Sequence, residues 1–156
     1  HLPESPILYV TVGLSYLHLL PPAIPKKMRK EILVVDDSKA IRFVLQTILR
    51  KHYKVTSVAD GVSAMYCLRK HNLPDLIIIN PDLTDFHDWE LIRYLHNSHL
   101  YSSIPLMVIS NQPEENTRLN AIKYQVVDFF QKPFNPLNLL ESVDNVLVGT
   151  AVHKVY

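Results

Sequence analysis

Three glycines, one cysteine and one tryptophan in 156 residues remove several classes of chemistry at the outset. So few glycines leave no glycine-rich loop to cradle a phosphate, and no nucleotide-binding fingerprint built on one is present. A lone cysteine, Cys67, excludes an internal disulfide framework and any CxxC motif, and suits a reducing cytosol. No Ser-His-Asp order of a hydrolase appears. An excess of charge is missing too. The formal net charge of +1 gives no general reason to expect nucleic acid, and no compact basic patch stands out along the chain. The uncharged apolar stretch at 7–20 spans only 14 residues, short of the roughly 20 needed to cross a bilayer. What is present is an ordinary globular balance, 47% apolar and 20% charged, in a chain long enough to bury one core.

Proline is unevenly spread: five of the eleven fall in the first 25 residues. Pro21, Pro22 and Pro25 close the apolar stretch, and Lys26, Lys27, Arg29 and Lys30 follow it. Apolar-then-basic is the pattern of the cytoplasmic end of a membrane span. The basic leader of a signal peptide is absent. Residues 1–29 are therefore read as an N-terminal extension. It is either upstream or appended sequence with Met28 as the natural start, or a linker that is membrane-proximal only if 7–20 end a longer span. Residues 30–149 form one domain and 150–156 a short tail.

From Glu31 the pattern becomes regular. "EILVV" is a β-branched apolar run suited to a strand buried on both faces. It stops at Asp36-Asp37, and Ser38 can cap the amphipathic helix marked by Ile41, Val44, Leu45, Ile48 and Leu49. "YKVTSV" reads as a second strand, Asp60-Gly61 as a turn capping a helix with Ala64, Met65 and Leu68, and "LIII" as the third strand. Trp89, Ile92 and Leu95 mark a third helix. "LMVIS" is the fourth strand, a polar helix runs from about Glu114 to Lys123, and "VVDFF" is the fifth strand. Asn135-Pro136 caps and starts the last helix. Strands alternating with helices predict an α/β fold: a doubly wound, five-stranded parallel sheet with helices on both faces, flavodoxin-like. In such sheets the site lies beyond the carboxyl ends of the strands, where the strand order switches.

Those strand ends resemble the receiver domain of bacterial two-component response regulators over about residues 30–148. "ILVVDDS", "LPDLIIIN", "IPLMVISN" and "DFFQKPF" follow one another at the family's spacing. The resemblance implies that Asp36 and Asp37 are Mg²⁺ ligands, that Ser110 is the hydroxyl and Lys132 the cation meeting a phosphoryl group, and that Phe129 is the aromatic switch. It also implies a Lys132-Pro133 bond that can be cis. Independently of the family, Mg²⁺ wants hard oxygens and a phosphoryl group wants cations and hydroxyl or backbone donors around it.

The acceptor position departs from this pattern. It holds Asn80, and an amide is no nucleophile toward a phosphoryl donor. The usual proline four residues on is Thr84, the glycine eight residues on is Asp88, and the glycine before the fifth strand is Gln125, so a different helix cap is expected there. The resemblance thus implies a degenerate pseudo-receiver in phosphorelay signalling: not an enzyme, cytoplasmic, holding Mg²⁺ weakly if at all. It would work by contact with a histidine kinase or output domain through the fourth helix, fifth strand and fifth helix, without binding nucleic acid, and with a homodimer left open. The alternative is a working phosphoacceptor that uses Asp82, or one of the Asp36/Asp37 pair, with Mg²⁺. Asp82 is otherwise a solvated loop acid or a water-mediated metal contact at the pocket rim, and Asp85 and Asp88 add negative charge beside it. His87, His96 and His99 are read as exposed histidines, because a metal site would need further ligands.

Overall fold

A computed structural model describes residues 29–70 and 72–149. The expected alternation is realised as β1 (Glu31–Val35), α1 (Lys39–Leu49), β2 (Lys54–Val58), α2 (Gly61–Lys70), β3 (Leu76–Ile79), α3 (Glu90–Asn97), β4 (Leu106–Ser110), α4 (Glu114–Lys123), β5 (Asp128–Gln131) and α5 (Pro136–Leu147). All strand pairs are parallel and the order is β2-β1-β3-β4-β5. The order therefore reverses between β1 and β3, the two strands that end in Asp36-Asp37 and Asn80. The extension and tail proposed from the sequence lie outside the described residues.

Alternation along the strands divides the core in two. Ile32, Val34, Ile78 and Met107 point toward Leu45 and Leu49 of α1 and Leu139 and Val143 of α5. Leu33, Val35, Ile77 and Val108 point the other way, toward Met65 and Leu68 of α2 and Ile92 and Leu95 of α3. Burial on both faces explains why β1, β3 and β4 read as unbroken apolar runs. The edge strand β2 is half-exposed and more polar. Of the residues expected to face the core from α1, only Leu45 and Leu49 are fully buried.

The caps act as the residue types predict. Ser38 Oγ accepts from the Ile41 N–H at 3.3 Å, and Asn135 accepts from Leu137 and Asn138. The Asp60 carboxylate accepts from the Ser63 N–H at 2.8 Å, which holds it below the ordinary aspartate range. One expectation fails at Gln125. The end of α4 keeps the left-handed closure that glycine usually supplies: Gln125 has φ 54, its N–H donates to the Ile122 carbonyl, and the Val126 N–H donates to the Ala121 carbonyl. The cap is unchanged and the glutamine carries the strain. α4 ends at Lys123 as expected, while β5 begins at Asp128, two residues after the start read from the sequence.

Register pairs Glu31 with Lys54 and the Lys54 N–H donates to the Lys30 carbonyl. The turn residues Arg50, Lys51 and His52 arrive at this same amino end of the sheet.

Candidate functional site

The carboxyl ends of β1, β3, β4 and β5 bring Asp36, Asp37, Asn80, Ser110 and Lys132 together, with Phe129 half-buried within β5. Asp36 is buried, and its Oδ1 accepts from the Ser38 N–H at 2.8 Å. Its Oδ2 faces the Lys132 ammonium at 2.8 Å as an ion pair in which neither side chain sees much solvent. Burial pushes the Asp36 carboxyl above the ordinary aspartate range. The Lys132 ammonium and the Ser38 N–H act against that rise, and the neighbouring Asp37 charge adds to it. The Lys132-Pro133 bond is cis.

Asn80 is buried and fully used. Its Oδ1 accepts from the Asp82 N–H at 3.0 Å and its Nδ2 donates to Asp37 Oδ1 at 3.3 Å. These two partners fix the orientation of the amide, since one can only donate and the other can only accept. A carboxylate at this position would put a second negative oxygen against Asp37. The repulsion is at most about 5 kcal/mol for unit charges 3.3 Å apart at an effective dielectric of 20, and less because Asp37 is exposed. The amide turns that repulsion into a hydrogen bond.

Ser110 lies on the opposite wall and its hydroxyl is already engaged. Its Oγ accepts from the Gln112 N–H at 2.9 Å and meets the buried Thr117 hydroxyl at 3.1 Å. Thr117, one turn into α4, is a partner the sequence did not announce.

The loop from Pro81 to Trp89 is fastened at both ends. Asp82 is exposed, its Oδ1 accepting from the Asp88 N–H at 3.2 Å beside His87 Nδ1 at 3.5 Å. The two carboxylate oxygens of Asp85 accept from the Gly61 and Val62 N–H groups, both at 2.9 Å. A carboxylate from a distant loop thus caps α2, where the helix dipole favours it. Phe86 lies so close to Gly61 that a Cβ there would overlap its ring. Asp88 and Trp89 both take left-handed backbone conformations, φ 46 and 66. Trp89 Nε1 donates to Gln112 Oε1 at 2.8 Å, tying this loop to the one after β4. Asp85, Phe86, Trp89 and Gln112 were all missed as site residues; only the Asp60-Gly61 turn hinted that something must pack there.

The remaining candidates stay apart. His99 follows the end of α3, and His96 packs edge-on against Tyr124. Cys67 is half-buried and lines a cavity of about 240 Å³ beside β1 and β2, far from Asn80. Among the described residues no group of three or more His, Cys, Asp or Glu side chains could hold a metal ion. The oxygens of Asp36, Asp37 and Asn80 are of the kind Mg²⁺ takes. Only two of those side chains carry charge, however, and Lys132 already occupies one of them.

Comparison with known proteins agrees with this geometry. The family model for the response regulator receiver domain matches residues 32–144. The chain is 26% identical over 119 residues to a chemotaxis protein CheY homolog of Campylobacter jejuni, covering 75% of this chain and 92% of that one. It is 27% identical over 121 residues to the regulatory protein VanRc of Enterococcus gallinarum, covering 77% of this chain and 51% of the relative. Of a Dictyostelium discoideum hybrid signal transduction histidine kinase it spans only 7%. Among solved structures, the chemotaxis response regulator CheY4 of Vibrio cholerae superposes with a TM-score of 0.68 at 25% identity, over 76% of this chain and 99% of that one.

Proposed function

The chain belongs to the response regulator receiver family of two-component signalling, and from that premise we propose that it is a pseudo-receiver that signals by protein contact without being phosphorylated. One observation carries the proposal: the acceptor position is Asn80, and its amide is held between Asp37 and the Asp82 N–H. Pro81 adds a chemical argument. Deamidation of asparagine to aspartate runs through attack by the following backbone N–H, and proline has none. Asn80 is not converted to a carboxylate by that route.

Asp82 makes a poor substitute acceptor. Its carboxylate is turned onto the Asp88 N–H and His87. Asp36 is paired with that lysine. Mg²⁺ is held weakly by Asp36 and Asp37, because the acceptor's charge is missing. The domain is not an enzyme and acts on the cytoplasmic side, where its single thiol stays reduced. Its partner, a histidine kinase or an output domain, docks on the face of α4, β5 and α5, where Leu119, Ile122 and Val127 are exposed apolar residues.

The test is intact-mass analysis after incubation with acetyl phosphate and Mg²⁺. No added phosphoryl group is expected on the wild-type chain, and slow labelling is expected on Asn80→Asp. Stoichiometric labelling of the wild type, mapped to Asp82, Asp36 or Asp37, would overturn the proposal.

A further inference from the structure

We propose that the amino end of the sheet is a docking surface for an anionic membrane leaflet. The surface is built by Arg29 and Lys30 ahead of β1, Arg50 and Lys51 at the end of α1, and Lys54 at the start of β2. Arg69 and Lys70, at the end of α2, arrive at the same end because every helix runs antiparallel to the strands it follows.

Four acids share this end and keep their charge, Glu31, Asp75, Asp128 and Asp144, against seven cations. Glu31 pairs with Lys54 at 3.2 Å, and the Asp75 carboxylate accepts from the Glu31 N–H at 2.8 Å. The Asp144 carboxylate accepts from the Tyr53 hydroxyl, and Asp128 accepts from the Ser142 hydroxyl and the Phe129 N–H. Lys30, Arg50 and Lys51 are exposed and have no ion-pair partner among the described residues. At the opposite end the acids Asp36, Asp37, Asp60, Asp82, Asp85 and Asp88 outnumber the nearby cations Lys39, Arg42 and Lys132. A near-neutral chain is thus strongly polarised along its strand axis, and such a field orients the molecule at a charged surface.

Complementing helix dipoles accounts for part of this pattern, since cations are favoured at helix C-termini. That explains Arg50, Arg69 and Lys70. It does not explain Arg29 and Lys30, which sit ahead of β1 where no comparable dipole exists, while Lys54 answers Glu31 across the strands. The sequence leading into β1 favours a membrane over a nucleic acid as the anionic partner. The uncharged apolar stretch at 7–20 is followed by Lys26 and Lys27 and then by Arg29 and Lys30. The covalent path into the domain therefore reaches the basic end first. This inference concerns a surface remote from Asn80 and stands whether or not the domain is phosphorylated.

Each cation brought to an acidic leaflet strengthens binding about fivefold, and the attraction fades beyond a Debye length of about 10 Å at 0.1 M salt. The experiment is cosedimentation of the full chain with phosphatidylcholine vesicles, with and without roughly a third phosphatidylserine. Binding to the acidic vesicles, release by salt and little binding to neutral ones are expected. Arg50→Gln/Lys51→Gln should weaken partition about 25-fold and Arg50→Glu/Lys51→Glu further, with unchanged thermal melts. Lys39→Glu, at the acidic end, should bind like wild type. Equal binding to neutral vesicles would overturn the proposal, as would double variants that bind undiminished. So would preferential capture by duplex DNA at the same salt, which would make the surface a nucleic-acid site.

Discussion

Removing the Lys132 ammonium strands a buried charge, and the cost follows from the geometry. Asp36 Oδ2 lies 2.8 Å from Lys132 Nζ, with side chains 2% and 9% exposed. The attraction at that distance is at most about 6 kcal/mol at an effective dielectric of 20, and both groups have already lost most of their hydration. Breaking such a pair from one side usually costs about 3–5 kcal/mol. The site lies at the solvent end of the strands, where water can follow the lost side chain, so Lys132→Ala is expected to cost about 2–4 kcal/mol at pH 8. For a domain of this size that lowers Tm by about 6–15 °C.

The dependence on pH identifies the cause. Burial already raises the Asp36 pKa, and loss of Lys132, which opposes that rise, moves it further up. In the variant the native state keeps the Asp36 proton over a pH interval where the unfolded chain, with a pKa of about 3.9, has released it. Stability therefore falls as pH rises through that interval and levels off above the folded pKa. The deficit against wild type should be small near pH 4 and largest at pH 8. Asp36→Asn combined with Lys132→Ala should recover much of it, since neither charge is then stranded. Thermal melts of the three proteins at the two pH values decide the matter. A wild-type Tm for Lys132→Ala at pH 8, or a deficit independent of pH, would refute the reasoning.

Three further outcomes follow from other contacts. Gln125→Gly should stabilise the domain by about 0.5–1 kcal/mol in urea unfolding, because φ 54 suits glycine while glycine's freer unfolded chain takes back part of the gain. Asp85→Ala should cost about 1–2 kcal/mol and speed hydrogen exchange at Gly61 and Val62, whose N–H groups lose their acceptor; unchanged protection at both would count against the cap. Tyr53→Phe should cost about 1 kcal/mol by losing the bond to Asp144. Burial and Asp144 push the Tyr53 hydroxyl upward, so the native state holds that proton above pH 10 where the unfolded chain gives it up. Wild-type stability should therefore drop as pH climbs past 10, and denaturant titrations of the phenylalanine variant should show a shallower slope.

The parts of the fold visible in the sequence were those set by local rules. Unbroken apolar runs gave β1, β3 and β4 to the residue, and Ser38 and Asn135 gave two helix starts. The strand-end candidates emerged because a parallel sheet gathers its carboxyl ends where the strand order switches, and the family resemblance gave them their roles. What stayed hidden is set across space. Asp85 reads as one more loop acid until the fold carries it to the start of α2. Thr117 reads as a mid-helix threonine until it meets Ser110. Gln125 shows a different limit. Its position was correctly seen to lack glycine, but the inference that the cap must change was wrong, because a left-handed residue costs only about 1–2 kcal/mol and the surrounding hydrogen bonds outweigh it.

Under the proposed reading, the pocket holds together without an acceptor through contacts among its own residues. Each group that the family resemblance assigns to a phosphoryl group has a protein partner here. Lys132 has Asp36, Ser110 has Thr117 and the Gln112 N–H, and Asn80 has Asp37 and the Asp82 N–H. An incoming anion would have to break at least two of these contacts and would gain no covalent bond in return. A third carboxylate would leave Asp36, Asp37 and residue 80 with one lysine among them, and would need a cation to stay together. The amide, under the proposed reading, removes that requirement, and the pocket's groups partner one another without metal or phosphoryl group. Under the proposed reading the domain then has one resting arrangement, and any signal must enter through its surfaces: by partner binding at α4, β5 and α5, or by attachment at the basic end.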